Sequence, residues 1–341
     1  MFPVSFGSDN HSGVHPTVWE ALRKADAGYC PAYGDDPLTL KVLQDLEELF
    51  GGDCAASFVM TGTGANVVSL QNFVRSYHAV FCANSAHINV DECGAVQKFT
   101  QARLKVIDTP DGKLTPQLIL PNLLNNRDQH HSQGRIVSIT QSTEYGTLYS
   151  LQELKELADF AHRHEMYLHI DGARLANAAA ALNCSLQEMT KDVGADIISF
   201  GGAKNGLLFG EAIVSFRPEI TSDLRFYRKQ CTQLFSKMRY IAAQFEAYLE
   251  NGLWHQNALQ ANAMAALLAS RLQEIPQVRI TQPVAVNSLY VILPREITPA
   301  LQEKYHFYMW NESLNEVRLM CSYNTTKEMI GELVDTLKAS L

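Results

Sequence analysis

The 341 residues are 46% hydrophobic and 19% charged, a globular balance, and the chain is longer than one small core usually organises, so two lobes are expected. A formal net charge of −8 with no lysine- or arginine-rich run argues against nucleic acid as the main partner, because backbone phosphates need a basic footprint. No stretch approaches membrane-spanning length, no basic segment precedes an apolar one at the N-terminus, and the seven scattered cysteines form no C-x-x-C pair; the expectation is a cytoplasmic protein with no signal peptide, zinc site or disulfide framework.

The first strand-like run is ASFVM at 56–60, followed by TGTGAN at 61–66 and a helical pattern over 67–77. A glycine-rich turn opening a helix can cradle a phosphate with backbone N–H groups, here Gly62 and Thr63, with side-chain hydrogen bonds from Thr63 and Asn66. A tight strand-to-helix turn asks for the same glycines. Val67 stands where a dinucleotide fingerprint has its third glycine, and no P-loop lysine follows, so one phosphate monoester fits better than a dinucleotide or nucleoside triphosphate.

The run AVFCA at 79–83 leads to His87, whose flat ring could stack on a cofactor; Asp91 and Glu92 behind it read as a solvated turn or helix cap. RIVSITQ at 135–141 leads to Glu144. The segment 151–165 has apolar residues at 151, 154, 157, 158 and 161, the spacing of one helix face. MYLHI at 166–170 then delivers DGAR. Asp171 either caps the helix that starts near Arg174 or pairs with a protonated ring nitrogen. Arg174 offers a two-pronged fork to a carboxylate or simply opens a solvated helix.

ADIISF at 195–200 delivers Lys204, flanked by Gly201 and Gly202 before it and Gly206 and Gly210 after it. A lysine that must reach a bulky ligand needs small neighbours, and a nucleophilic lysine must be unprotonated part of the time. EAIVSF at 211–216 is a further strand. The long helical stretch 221–275 is expected to leave the sheet for the second lobe, where 278–282, 286–293 and 317–323 read as strands and Thr325 or Thr326 caps the last helix.

This alternation predicts an α/β fold with a mostly parallel sheet sandwiched by helices. A large domain over 1–254 and a smaller C-terminal α/β domain over 255–341, touched by the N-terminal segment, are the expected units. Ligands of such sheets gather at the carboxyl ends of the strands. An aldehyde partner (Lys204), a phosphate turn (61–66), a counter-ion for a pyridinium nitrogen (Asp171) and a stacking ring (His87) together suit pyridoxal 5′-phosphate. Metal chemistry is not expected, since the histidines form no H-E-x-x-H pattern.

The motifs FGSDN (6–10), AYGDDP (32–37), FVMTGTGANVVSL (58–70), AHINVDECGA (86–95), SITQSTEYGTLYS (138–150), LHIDGARLANA (168–178), DIISFGGAKNG (196–206) and RLMCSYNTT (318–326) run through the whole chain. In them the sequence resembles the low-specificity L-threonine aldolases, of the β-eliminating lyase group of fold type I pyridoxal-phosphate enzymes. The resemblance implies a seven-stranded sheet, aldol cleavage of L-threonine or L-allo-threonine to glycine and an aldehyde, and a homotetramer built as a dimer of dimers. It assigns the cofactor Schiff base to Lys204, the pyridinium partner to Asp171, the stacking ring to His87 and the phosphate to Gly62 and Thr63. Ser8, Arg174 and Arg318 would take the substrate carboxylate, and Tyr33 would reach the cofactor of a neighbouring subunit. Arg228, Lys229 or Arg239 would reach the neighbour's phosphate. Some members have histidine where this chain has Glu144, so the acceptor of the substrate hydroxyl proton stays open between Glu144, His87 and a phosphate-bound water. Another pyridoxal-phosphate lyase or transaminase of this fold, and a non-catalytic cofactor carrier, are the alternative readings.

Overall fold

The computed structural model describes residues 4–123 and 126–341. Seven strands form the main sheet: β1 (Ala55–Val59), β2 (His78–Ala83), β3 (Arg103–Ile107), β4 (Gln133–Thr140), β5 (Tyr167–Asp171), β6 (Ile197–Gly201) and β7 (Glu211–Ser215), in the order β1-β7-β6-β5-β4-β2-β3. The pairs from β6 through β5, β4 and β2 to β3 are parallel. β7 is antiparallel to both β6 and β1, so β1 points the same way as β6. The carboxyl ends of six strands therefore share one edge of the sheet, and the first residue of β7 lies there too. Every residue of β6 and β7 is buried, which is why both read as unbroken apolar runs. β3 was not legible as a strand. It occupies the sheet's outer edge, and its Arg103 is exposed.

A second, antiparallel sheet has the order β10-β11-β9-β8, with β8 at Arg279–Ile280, β9 at Ser288–Ile292, β10 at Tyr308–Asn311 and β11 at Glu316–Met320. Leu289 and Val291 of β9, Val317 and Leu319 of β11, Leu268 and Leu272 of one helix and Leu333 and Val334 of the last helix make its core. The N-terminal segment joins this core through Phe6, whose N–H donates to the His306 carbonyl at 2.8 Å and whose carbonyl accepts from Met320 N–H at 2.7 Å. Thr326, not Thr325, caps the last helix, accepting from Met329 N–H at 3.3 Å.

The stretch 221–275 does not leave the sheet as one helical arm. It breaks into helices Leu224–Gln230, Arg239–Leu249 and Leu253–Gln273, with Thr232 and Asn251 in left-handed backbone between them. Ile241, Phe245 and Tyr248 of the middle helix pack into the main core with Phe58 and Phe200. Uniform helical propensity hid these breaks, because the burial that fixes them comes from distant strands.

Candidate active site

The turn after β6 carries Lys204 in a short 3₁₀ segment, Ala203–Asn205. Its glycines have backbone reasons. A Cβ on Gly201 would come within 2.4 Å of the Ala173 carbonyl oxygen, and one on Gly172 within 2.0 Å of the Ser199 oxygen, because the ends of β5 and β6 cross closely there. The small residues around Lys204 thus let two strand ends approach, rather than clearing space for a ligand alone.

Asp171 ends β5, buried. It does not cap the following helix, whose N-terminal residue Arg174 has no side-chain cap. Instead one carboxylate oxygen accepts from Asn66 Nδ2 at 2.8 Å and the other from Ala173 N–H at 3.1 Å. Burial alone would push the carboxyl up. The Asn66 hydrogen bond outweighs it, with the charge of Lys204 and the histidines His169 and His87, and holds Asp171 below the usual carboxylate range. Asn66 was expected beside a phosphate; it bridges Asp171 and Glu92 instead, the latter at 2.7 Å.

Glu92, expected in a solvated turn or a helix cap, is buried. Its Oε1 takes the Nδ1 of His87 at 2.8 Å. That hydrogen bond raises the His87 pKa above the usual histidine range against the lowering by burial, and the charges of Glu144 and Asp171 add to it. In Glu92→Gln the His87 midpoint is expected to fall, read from the ring proton by NMR titration. An unchanged midpoint would mean that Glu92 does not set the histidine's charge.

The two arginines meet the N-terminal turn. Arg174 Nε donates to Asp9 at 2.7 Å and Nη2 to the other Asp9 oxygen at 3.0 Å, with both residues buried. The fork foreseen for a ligand is taken by Asp9, and Nη1 is the nitrogen not engaged by it. Burial pushes the Asp9 carboxyl up, but Arg174, with Lys204 and the Asn287 amide, holds it below the ordinary range. Arg318 donates to the Gly7 carbonyl at 3.2 Å and lies over the rings of Tyr308 and Trp310 at 5.7 and 5.5 Å. Tyr290 feels the charges of Arg318, Glu144 and Arg174 together, which places these three around it. Its hydroxyl donates to the Glu144 carbonyl. Ser8, also buried, accepts from Asn10 N–H at 3.2 Å and so shapes the turn that carries Asp9.

At the end of β1, Thr61 caps the helix Gly62–Gln71 by accepting from Gly64 N–H at 3.0 Å. The space where a Cβ on Gly62 would lie is open to 4 Å, whereas Gln233 sits against Gly64 and accepts from Met60 N–H at 3.1 Å. The Tyr33 N–H donates to Ser236 O and its ring lies 5.2 Å from Lys229 Nζ. Arg228 donates to Phe58 O at 3.2 Å and Arg239 to Gly28 O at 3.2 Å. Lys204, Asp171, His87, Glu144, Arg174 and Arg318 are thus gathered within the chain.

The model of the beta-eliminating lyase family matches residues 5–295. The chain belongs to that family. Over 336 residues it is 39% identical to the low specificity L-threonine aldolase of Pseudomonas sp. strain NCIMB 10558, covering 98% of this chain and 97% of that one. Pseudomonas aeruginosa has a protein of the same name, 38% identical over 98% of this chain and 96% of that one. The Leishmania major threonine aldolase structure superposes with a TM-score of 0.93 at 28% identity over 99% of both chains.

Enzymes of this family use pyridoxal phosphate, and the residues here fit it. An ionised, buried Asp171 suits a cationic ring nitrogen. A helix start with open space at Gly62 suits a phosphate. Asn66 Oδ1, Glu92 Oε2, Ser142 Oγ and Arg318 Nε are buried polar atoms with no hydrogen-bond partner among the described residues, which a polar ligand can serve.

Proposed function

We propose that the protein is a pyridoxal-phosphate-dependent aldehyde lyase that cleaves L-threonine, L-allo-threonine and related β-hydroxy-α-amino acids to glycine and an aldehyde. The observation that carries this reading is the convergence of Lys204, Asp171 and His87 within one another's electrostatic reach at the strand ends, with Glu144 and Arg174 beside them.

When bound, pyridoxal phosphate supplies an electron-poor ring that accepts the pair released at Cα. Lys204 holds the cofactor's aldehyde carbon through Nζ, Asp171 keeps the ring nitrogen protonated, and the Gly62 and Thr63 amides hold the phosphate. Arg174 Nη1 and Arg318, with Ser8, hold the substrate carboxylate and so turn the Cα–Cβ bond into the orientation that breaks. His87 stacks on the ring. Its Nδ1 is fixed by Glu92, so Nε2 can take the β-hydroxyl proton only when the ring is neutral, which the raised His87 pKa disfavours. The Glu144 carboxylate and a phosphate-bound water are the other acceptors.

The same reading makes the large domain 1–254 and the small domain 255–341 the two walls of the site. It makes the protein a cytoplasmic tetramer in which Tyr33 serves a neighbour. Protein loaded with pyridoxal phosphate should absorb in the visible, release acetaldehyde from L-allo-threonine and L-threonine, and behave as a tetramer by light scattering at assay concentration. An oxo acid in place of aldehyde would instead indicate elimination where ammonia is released with it, and transamination where no ammonia is released.

A further inference from the structure

The small sheet has two unlike faces. Leu289, Val291, Val317 and Leu319 pack in its own core, and alternation along the strands sends Ser288, Tyr290 and Arg318 to the other side. Register sets three residues of that side in one row. Tyr308 of β10 lies opposite Arg318 of β11, which lies opposite Tyr290 of β9. Cross-strand neighbours on one face are close enough to interact.

The loop that follows β4 packs on this row. A Cβ on Gly146 would come within 2.4 Å of Ser288 Oγ, and the Tyr145 ring lies 6.0 Å from the Tyr290 ring and 5.9 Å from the Trp310 ring. Tyr290 and Trp310 meet edge to face at 5.1 Å. The Glu144 carbonyl, one residue earlier in the loop, accepts from the Tyr290 hydroxyl. On its other side the loop is tied through Thr147 Oγ1, which donates to Asp111 O at 2.7 Å. The Glu144 carboxylate acts through its charge on both His87 and Arg174.

Tyr290 is 2% exposed, and burial drives its phenol upward, so it stays a neutral O–H. A neutral phenol has one proton to give and lone pairs with which to receive. The Glu144 carbonyl takes the proton. Arg318, the second hydrogen-bond partner, can only donate, so it gives to the phenol oxygen. One hydroxyl stands between the guanidinium expected at the substrate carboxylate and the backbone of the acid expected at the β-hydroxyl. A phenylalanine would fill the same volume and keep the ring contacts, so packing alone does not call for the oxygen.

We propose that Tyr290 is a positioning residue that sets the spacing between the two ends of the substrate. Its oxygen orients Arg318 for the carboxylate, and its proton holds the Glu144 backbone from which the Glu144 side chain is presented to the β-hydroxyl. The inference rests on the reading that Arg318 takes the carboxylate and Glu144 serves the hydroxyl end.

Tyr290→Phe removes the oxygen alone. Tyr305→Phe is its control, since Tyr305 is also 2% exposed and its hydroxyl meets Thr336 Oγ1 at 3.0 Å inside the small lobe. In protein loaded with pyridoxal phosphate, glycine offers the carboxylate without a β-hydroxyl. It should bind Tyr290→Phe about 10-fold more weakly, read from the change in visible absorbance. On L-allo-threonine kcat/KM should fall about 10- to 100-fold, the range for losing a hydrogen bond to a charged group, with kcat sharing in the loss. Tyr305→Phe should match the wild type in both. In an Arg318→Lys background, Tyr290→Phe should cost little further glycine affinity yet still lower kcat, because the Glu144 contact remains to be lost. Additive losses of glycine affinity would overturn the Arg318 half, and an unchanged kcat the Glu144 half. Equal losses in Tyr305→Phe would overturn both.

A second readout needs neither cofactor nor turnover. In ¹⁵N-labelled protein free of cofactor, the Arg318 guanidinium protons, assigned by their absence in Arg318→Lys, should exchange with water about 10-fold faster in Tyr290→Phe than in the wild type. Equal rates reject the contact. If Tyr290→Phe fails to fold, wild-type Arg318 protons that exchange as freely as those of exposed arginines would reject it without any variant at 290. Exchange that responds to position 290 in a protein that releases no aldehyde would refute the aldolase reading alone.

Discussion

Asp171→Asn is expected to lower turnover on L-allo-threonine by about 100- to 1000-fold, the usual cost of losing one preorganised charge at the point where charge develops. The substitution keeps size and shape but removes the anion. The Asn66 amide now donates to an Asp171 oxygen at 2.8 Å, and Ala173 N–H to the other at 3.1 Å. An amide can present an oxygen to only one of these donors without turning its own NH2 toward the other, so the preorganised geometry weakens along with the charge. Because the Asp171 pKa is depressed, its ionised form is favoured above the ordinary carboxylate range and is lost only as pH falls through the lowered value. Neutral pH is therefore where the comparison belongs.

The phosphate turn at Gly62 follows another strand, and its helix meets Asp171 through Asn66 rather than through the Gly62 and Thr63 amides, so cofactor retention should fall less than turnover. The measurement is kcat with L-allo-threonine beside the visible absorbance that survives gel filtration. Near-normal turnover at saturating pyridoxal phosphate, combined with weakened cofactor retention, would give Asp171 a purely structural role at the end of β5.

The apolar runs of β5, β6 and β7 were legible because their residues are buried on both faces, and the polar groups that follow such runs lie at one sheet edge by topology alone. Lys204, Asp171, His87 and Arg174 could be named on that basis. The groups that hold them could not. Asn66 meets Glu92 across 26 residues of sequence and Asp171 across 105, and no local spacing announces either contact. Glu92 looked like a solvated acid because acids after a short helix usually are. It is buried because His87 and Asn66 turn back onto it. Asp9 sat inside a quoted motif, yet its bond to Arg174 spans 165 residues. Glu211, whose buried carboxyl accepts from Gly202 N–H at 3.0 Å, did leave a signal, a charge opening an otherwise apolar strand directly after a glycine. Such a charge is either a strand-end solvent contact or a buried acid. The antiparallel direction of β7, which composition does not reveal, decides between them.

The two arginines should separate in stability while agreeing in kinetics. An arginine–carboxylate contact in a partly buried site is worth about 2–4 kcal/mol when one partner is removed, on the order of 30- to 1000-fold in kcat/KM. Arg174→Lys and Arg318→Lys keep the charge but lose the planar fork, so each should recover only part of that loss. Turnover should fall as KM rises, since the carboxylate's orientation also selects the bond that breaks. Their structural surroundings differ. Arg174 satisfies both oxygens of Asp9, which is 1% exposed, so lysine leaves a buried carboxylate short of a donor. A broken buried pair costs about 3–5 kcal/mol, and a lysine that keeps the charge should cost a good part of it, enough to lower Tm visibly. Arg318 donates to the Gly7 carbonyl, has the Tyr290 hydroxyl as a hydrogen-bond partner and lies over Tyr308 and Trp310, contacts that a lysine stem and ammonium partly reproduce. Arg318→Lys should therefore lose specificity constant with little change in Tm, and Arg174→Lys should lose both. Steady-state kinetics on L-allo-threonine with matched thermal melts check the pair. If Arg318→Lys left kcat and KM unchanged, the small sheet would not hold the carboxylate, and the site would rest on Arg174 alone.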